Sequence, residues 1–246
     1  MNLTYCGRTH ICGRAKNEDA FAMEQVTGAL AAFTVADGLG GQPAGEVASR
    51  IAVSSLMETI RRLAPGDTSC SPGQMREILN KGFQAASVAI AQDVSASPEH
   101  AGMATTLVAA LINDSFDVVI AYAGDSRAYC YGNELVQVTK DHSLVQELVR
   151  RGVITTDAAE LHPDKHIVTR VVSEIPVSPD ITEFGLEKNT LLLCTDGLTD
   201  ALSAEEISSE MRDTDVNRIC ENLIGRSLRV KRDNTTIIVI RAAPRP

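Results

Sequence analysis

Aspartates adjoin four apolar, β-like runs of this sequence, and their type and spacing indicate chemistry. They are Asp37, Asp125, Asp196 and Asp233. Three of them follow such a run and have a glycine beside them, whereas the fourth precedes its run. In antiparallel strands the end of one strand and the start of its neighbour lie at the same sheet edge, so the carboxylates are expected to converge. Converging carboxylates repel one another unless cations bind them, and an all-oxygen ligand set favours Mg²⁺ or Mn²⁺ over zinc or copper.

The first of these runs ends in the sequence Thr-Val-Ala-Asp-Gly-Leu-Gly-Gly at 34–41. Residues 30–36 have the length and apolar density of a buried strand, which would carry Asp37 to the strand's end. The glycines that follow remove side-chain bulk, so backbone carbonyls and amides can approach an ion or a phosphate closely. The alternative is an ordinary turn, because Asp-Gly is among the commonest turn dipeptides.

A second charged cluster, Arg14-Ala-Lys-Asn-Glu-Asp19, follows Gly13. The guanidinium of Arg14 can bind a phosphate through two hydrogen bonds, and Glu18 or Asp19 can orient water on a metal. The alternative is an exposed charged loop. A water shared by two cations about 3.5–4 Å apart loses a proton readily. With Arg14 holding the phosphoryl group, these residues predict metal-assisted hydrolysis of a phosphomonoester.

The rest of the pattern predicts the elements that position these residues. Two long helices are expected over 43–63 and 73–94, and a capping box at 203–206 opens a shorter helix that precedes another over 216–228. The expected strands are 3–6, 19–25, 30–36, 105–112, 116–123, 128–131, 134–138, 190–195 and 235–240.

Residues 141–170 differ in character, with two short helical patterns separated by polar and proline-containing stretches. This part is expected to form a mobile surface subdomain. It contains three histidines, which are interpreted as solvated loop residues rather than ligands: His142, His162 and His166.

Composition narrows the class of protein. The chain has 246 residues and a formal net charge of −9, which argues against a nucleic-acid surface. Its N-terminus lacks a basic-then-apolar signal, and apolar runs fall short of the roughly 20 residues that span a bilayer, so a soluble cytoplasmic protein without a membrane partner is expected.

Six cysteines lack zinc-type spacing and are expected to be reduced, mostly buried thiols. A single domain over 1–246 and a monomer are expected.

Six motifs in order carry a resemblance to a known family. They are Arg14-x-x-Asn-Glu-Asp19, Val35-Ala-Asp-Gly-Leu-Gly-Gly41, Gly102-Met-Ala-Thr-Thr106, Gly124-Asp-Ser-Arg127, Thr195-Asp-Gly-Leu198 and Asp233-Asn-Thr-Thr236. The series resembles the metal-dependent serine/threonine protein phosphatases of type 2C in their compact bacterial form, and it covers essentially the whole chain.

The resemblance implies an α+β fold, a four-layer α-β-β-α sandwich of two mainly antiparallel sheets flanked by helical pairs. It also implies two Mn²⁺ or Mg²⁺ ions, with Asp37 bridging them, the Gly38 carbonyl on one, and Asp196 and Asp233 on the other. Glu18 and Asp19 match an acidic pair that holds metal directly or through water, and Arg14 matches the phosphate-binding arginine. By the same resemblance, Asp125 shares a third, weaker metal with Asp196. A variable flap is implied at about 143–170.

The implied activity is removal of phosphate from phosphoserine and phosphothreonine, opposing a bacterial Ser/Thr kinase and acting on that kinase and its substrates. Leu39 stands where some members carry a histidine that can serve as general acid, and Ala104 stands where glycine is common. Two alternatives stay open: a catalytically silent phosphoprotein-binding module of the same fold, and a small-molecule phosphomonoesterase.

Overall fold

The computed structural model describes residues 2–39, 44–66 and 68–242, apart from the side chain of Glu160. Within these residues ten strands form two five-stranded sheets. In chain order they are β1 (Leu3–His10), β2 (Asp19–Thr27), β3 (Leu30–Asp37), β4 (Leu107–Asn113), β5 (Asp117–Ala123), β6 (Arg127–Tyr131), β7 (Leu135–Gln137), β8 (Asp180–Gly185), β9 (Thr190–Cys194) and β10 (Thr235–Ala242).

One sheet has the order β1-β10-β9-β6-β7 and the other β2-β3-β4-β5-β8. Every neighbouring pair is antiparallel. The helices are α1 (Gly45–Leu63), α2 (Pro72–Ala96), α3 (Leu144–Arg150), α4 (Thr156–Glu160), α5 (Asp196–Thr199), α6 (Ala204–Glu210) and α7 (Val216–Val230). The capping box predicted at 203–206 is confirmed, with the Ser203 hydroxyl accepting a hydrogen bond from the Glu206 amide.

Three apolar clusters separate four layers. The central cluster fills the space between the two sheets and includes Phe33 and Ile240, and Tyr5 packs edge-on against Phe33. A second cluster buries α1 and α2 on the sheet that contains β3, and a third buries α5 to α7 on the sheet that contains β9. Burial of apolar side chains on both faces of each sheet is the main stabilising contribution. The predicted α-β-β-α sandwich is confirmed.

Several sequence predictions need correction. β8 was not predicted, because its residues alternate only weakly and none is fully buried. Asp196 is not simply the exit of a strand, since it begins the short helix α5. The proposed helix start at Pro43 and the glycines at 40 and 41 lie outside the described residues.

The segment 143–170, called the flap segment below, contains α3 and α4. Its two ends meet in a bridge between Ser143 and Val168, and just beyond it Val172 pairs with Thr105. All six cysteines lie in described parts of the chain as free thiols, four of them buried, which confirms their interpretation. Among the described residues, none of the helices has the length and apolar character needed to cross a membrane.

Candidate metal centre

The predicted carboxylates meet where the ends of the two sheets face each other. Asp19 at the start of β2 pairs in register with Asp37 at the end of β3. The second sheet contributes Thr195, whose hydroxyl donates a 2.9 Å hydrogen bond to Oδ2 of Asp19. Asp196 comes next in the chain, and its side chain lies within hydrogen-bonding reach of Asp37. The convergence expected from the strand ends is therefore present in the fold.

Hydrogen bonds with Thr105 and Thr106, just before β4, hold the backbone of Asp37 in place. Its amide donates to Oγ1 of Thr106 at 2.9 Å, and its carbonyl accepts from the Thr106 amide at 2.8 Å and from Oγ1 of Thr105 at 2.8 Å. Both threonines are buried. Because these contacts use the backbone of Asp37, its carboxylate stays available to other partners.

Two glycines are required by close backbone approaches at this end. A Cβ on Gly38 would lie 2.1 Å from the carbonyl oxygen of Gly45, and one on Gly197 would lie 1.9 Å from that of Asn234. Both distances are far below a van der Waals contact, so only glycine fits. At 37–38 and 196–197, the glycine lets the backbone of another segment pack directly beside the aspartate that precedes it.

Burial and mutual repulsion make these carboxylates costly to ionise without a counter-charge. Burial, and then the neighbouring Asp196 and Asp233 charges, raise the pKa of Asp19 to about 7, although hydrogen bonds from two threonines oppose this. Burial and nearby carboxylates also raise the pKa of Asp125 to about 7 and that of Asp37 well above its ordinary value. Desolvation favours the neutral form of an acid, and like charges add to that effect.

The donor set fits divalent cations. Oδ1 of Asp19 and Oδ1 of Asp196 are both buried without a hydrogen-bond partner among the described residues. Buried carboxylate oxygens are normally satisfied by hydrogen bonds or by a metal. Two such oxygens in one cluster of acids therefore point to cations as their partners, and oxygen-only ligands suit Mg²⁺ or Mn²⁺.

Arg14 lies at the rim of this cluster. Its guanidinium donates a hydrogen bond to Oδ2 of Asp233, and its side chain is 49% exposed. Glu18 is half-buried next to it, and burial followed by the charge of Glu46 raises the pKa of Glu18. Arg14 is thus held beside the carboxylates while still facing solvent, where an anionic ligand would arrive.

Asn234 is a functional neighbour that sequence reasoning did not single out. It is 3% exposed, and its Oδ1 accepts from the Glu18 amide at 2.8 Å. Its Nδ2 donates to the carbonyls of Ile11 and Lys16 at 3.0 and 2.9 Å. One side chain therefore fixes the loop that carries Arg14 and Glu18. Its place directly after Asp233 was a signal, but its partners more than two hundred residues away were not visible in the sequence.

A second unforeseen group lies between the flap segment and α5. Ligand atoms of His166, Asp196 and Asp200 all lie within 4.8 Å of one another. Lys165 also contacts Oδ1 of Asp200, with its Nζ at 3.1 Å. The side chain of His166 is 57% exposed, as the solvated interpretation expects, but it lies beside two carboxylates that could share a metal with it, so the expectation that it is not a ligand stays a prediction.

We predict that the metal-free protein becomes less stable as the pH rises towards 7. Asp19 has a folded-state pKa of about 7, above the value near 3.9 of an unfolded aspartate. The folded protein therefore binds the proton more tightly, and this stabilisation is complete below the unfolded pKa and lost as the pH rises to about 7. Urea unfolding in EDTA at pH 5, 6, 7 and 8 measures it.

The Asp19→Asn variant is the control for this pH dependence, because other carboxylates titrate in the same range. Its free energy of unfolding should fall less steeply between pH 5 and 7 than that of the unsubstituted protein, by on the order of a few kcal/mol. Equal slopes for the two proteins would contradict the assignment.

Two antiparallel sheets between helical layers, with buried carboxylates and an arginine at one end, define an α-β-β-α sandwich with an acidic, metal-type centre. Comparison with known protein families identifies which family this fold and site belong to. The chain belongs to the protein phosphatase 2C family, whose model matches residues 6–228. The resemblance drawn from the six motifs is thereby confirmed.

Individual relatives and solved structures support the same family membership. The chain is 34% identical over 229 residues to the serine/threonine protein phosphatase PstP of Mycobacterium tuberculosis, a match that covers 92% of this chain and 42% of that protein. The chain thus spans less than half the length of this curated relative. It is similar to the crystal structure of Stp1 from Staphylococcus aureus, with a TM-score of 0.90, 31% identity and 99% and 96% of the two chains covered. A structure of the PstP catalytic domain with two manganese ions matches with a TM-score of 0.85 and 32% identity, covering 99% of each chain.

Proposed function

We propose that this chain is a protein serine/threonine phosphatase that removes phosphate from phosphoserine and phosphothreonine and depends on two divalent cations, Mn²⁺ or Mg²⁺. The observation that carries the proposal is a pair of buried carboxylate oxygens, one on Asp19 and one on Asp196, that lie beside Asp37 and have no hydrogen-bond partner in the part of the chain that the structure describes. Family membership supports the same activity, and the structure of PstP with two manganese ions supports the number of cations.

The residues that would hold the cations are those of the convergent cluster. Asp37 would bridge two ions, with the Gly38 carbonyl on one and Asp196 and Asp233 on the other. Glu18 and Asp19 would bind directly or through water, and Asp125 would share a third, weaker ion with Asp196. Bound divalent cations at such a centre lower the pKa of water and neutralise charge on a phosphoryl group.

The chain's own groups orient the substrate. The Arg14 guanidinium would bind two phosphate oxygens, which it can reach because its side chain is half-exposed. Its ion pair with Asp233 keeps it at the rim of the cluster in the absence of an anion. Leu39 has no titratable group, so this position does not supply the proton for the leaving serine or threonine oxygen. Thr105 and Thr106 keep the Asp37 backbone fixed throughout.

The finer expectations belong to this proposal. They are a single domain over 1–246 with a variable flap at about 143–170, a monomer in the cytoplasm, phosphoproteins and a Ser/Thr kinase as partners, and neither nucleic acid nor membrane as a ligand. The silent binding module is not favoured, because the carboxylates at every proposed ligand position are present. The relatives named as protein phosphatases also disfavour a small-molecule phosphomonoesterase.

The test is phosphate release by purified protein from a phosphothreonine peptide, a phosphotyrosine peptide and glucose 6-phosphate. We expect release from the phosphothreonine peptide with Mn²⁺ or Mg²⁺, none in EDTA, and recovery when the metal is returned. Preference for glucose 6-phosphate would instead support the phosphomonoesterase. Folded, metal-loaded protein that releases nothing from any of the three would support the binding module.

We predict that Arg14→Ala raises KM for the phosphothreonine peptide by about tenfold, since one charge-assisted contact to phosphate contributes about 1.5–3 kcal/mol. Steady-state kinetics at saturating Mn²⁺ measures this, with Arg218→Ala as the control because Arg218 forms a surface ion pair with Asp213 near the start of α7. An Arg14→Ala variant with unchanged KM and kcat would contradict the assigned role.

A further inference from the structure

His142 lies where the flap segment leaves the core, and its side chain is only 10% exposed. The sequence interpretation of this histidine as a solvated loop residue is therefore wrong. Its ring stacks on Tyr122 in β5, with ring centroids 5.3 Å apart and an angle of 14° between the planes. The ring is therefore held in one orientation, and the contacts of its two nitrogens show what it does.

Both sides of the ring face defined groups. Nδ1 accepts a 3.1 Å hydrogen bond from the amide of Gly124, and Nε2 lies 3.3 Å from Oδ2 of Asp180 in β8. Because Nδ1 accepts, the ring proton of the neutral form is on Nε2 and faces Asp180. Burial lowers the pKa of His142, which agrees with a neutral ring. Nε2 makes no hydrogen bond among the described residues, so the ring is held by the Gly124 hydrogen bond and by stacking on Tyr122, with Asp180 beside it.

The backbone of His142 joins two separate parts of the chain. Its amide donates to the Gly124 carbonyl at 2.9 Å, and its own carbonyl accepts from the Thr169 amide at 2.7 Å. The next residue, Arg170, forms an ion pair with the same Asp180 that faces the ring. One residue therefore connects the end of the flap segment to the residue before Asp125.

Gly124 sets where Asp125 can lie. Its φ of +117° is a conformation that favours glycine, and a Cβ there would lie 2.6 Å from the side chain of Thr106. Thr106 in turn binds the hydroxyl of Ser126 at 2.7 Å and the amide of Asp37 at 2.9 Å. Gly124 is thus confined on one side by Thr106 and on the other by His142, which satisfies both its amide and its carbonyl.

We propose that His142 is a positioning residue, which fixes Asp125 through both backbone groups of Gly124 and couples the flap segment to that carboxylate. The inference rests on the proposed function, in which Asp125 contributes to the third, weaker cation site. Loss of the ring frees the Gly124 amide directly. It also removes the Nε2 contact with Asp180, the residue that pairs with Arg170 at the end of the flap segment. Affinity at the weakest cation site and order at the flap's end therefore change together, whereas the central cluster of Asp37, Asp196 and Asp233 keeps its own contacts.

The test compares His142→Ala with His142→Asn and with His162→Ala. Asparagine keeps an acceptor oxygen at the same distance along the side chain as Nδ1, so it can still bind the Gly124 amide. His162 is a matched control, since its Nδ1 accepts from the amide of Asp164 within the flap segment itself. Calorimetric Mn²⁺ titration gives the affinity of each site. Hydrogen–deuterium exchange of the metal-free proteins reports on residues 124–127 and 167–170.

We expect His142→Ala to weaken the weakest Mn²⁺ site by about five- to tenfold, the effect of losing roughly one hydrogen bond. The tighter sites should be unchanged, and exchange should quicken in both segments. His142→Asn should recover affinity to within about twofold, and His162→Ala should match the unsubstituted protein.

Unchanged weak-site affinity and exchange in His142→Ala would overturn the proposal, as would failure of His142→Asn to recover affinity, or the absence of a weak Mn²⁺ site in the unsubstituted protein. The titration and the exchange do not require catalysis. If the unsubstituted protein releases no phosphate, the phosphatase assignment fails while the role of His142 in placing Asp125 is still decided.

Discussion

Replacing Asp37 by asparagine is expected to lower kcat/KM for a phosphothreonine peptide by at least about a hundredfold, because even residues that only support a metal ligand contribute about 10–100-fold. The side chain keeps its shape but loses the charge that would bridge two cations. The Asp37 pKa is raised by burial and by Asp19 and Asp196, so its charge is unfavourable in metal-free protein. The variant should therefore unfold at an equal or higher temperature than the unsubstituted protein in EDTA.

That opposite response of activity and stability separates a role in metal binding from a role in folding. Asp215→Asn is the matched control, because Asp215 caps α7 by accepting from the Asn217 amide, and asparagine caps a helix equally well. It removes one negative charge far from the site and should leave kcat/KM unchanged. If Asp37→Asn retains activity, or loses it together with metal-free stability, Asp37 is not the bridging ligand.

Replacing Asn234 by alanine is expected to lower the free energy of unfolding by about 3 kcal/mol. The substitution removes three side-chain hydrogen bonds and leaves the Glu18 amide and the carbonyls of Ile11 and Lys16 to find other partners in a buried place. An unsatisfied buried polar group costs about 1–3 kcal/mol, and water entering the gap recovers part of that. Urea unfolding in EDTA measures the loss.

The same variant should also weaken catalysis, since Asn234 holds the loop that presents Arg14 and Glu18. Asn222→Ala is the control: Asn222 is an exposed residue of α7 with one contact to Glu210, so its loss should change stability by less than about 0.5 kcal/mol. If Asn234→Ala changes stability no more than Asn222→Ala does, its hydrogen bonds do not hold this end of the sandwich together.

Much of the site could be predicted because its ligands stand at strand ends. The run before Asp37 is apolar except at Thr34 and is followed by Asp-Gly, so both the strand and the place of its carboxylate followed from local pattern. The same reasoning placed Asp125 and Asp233. Strand order within each sheet brings Asp37 and Asp125 to one end of one sheet and Asp196 and Asp233 to one end of the other, and packing of the two sheets joins the two groups. Asp19 and Asp37 are in register.

The parts that could not be predicted depend on tertiary contacts. β8 lies at a sheet edge with half-exposed residues, so its pattern is too weak to identify a strand. Asn234 contacts residues at 11, 16 and 18, and a separation of that length leaves no local signal. His142 was misinterpreted because its neighbours in sequence are polar, whereas its neighbours in space are Tyr122 and Gly124.

The most direct test of the central claim is to measure bound Mn²⁺ and phosphate release from a phosphothreonine peptide in the same samples, as metal-free protein is titrated with Mn²⁺. We predict that release is absent in EDTA, appears as the ions bind and approaches its maximum as bound Mn²⁺ passes about two per chain, the number set by one bridging carboxylate. Release that persists without metal, or protein that binds two ions and releases no phosphate, would contradict a two-cation phosphatase centre.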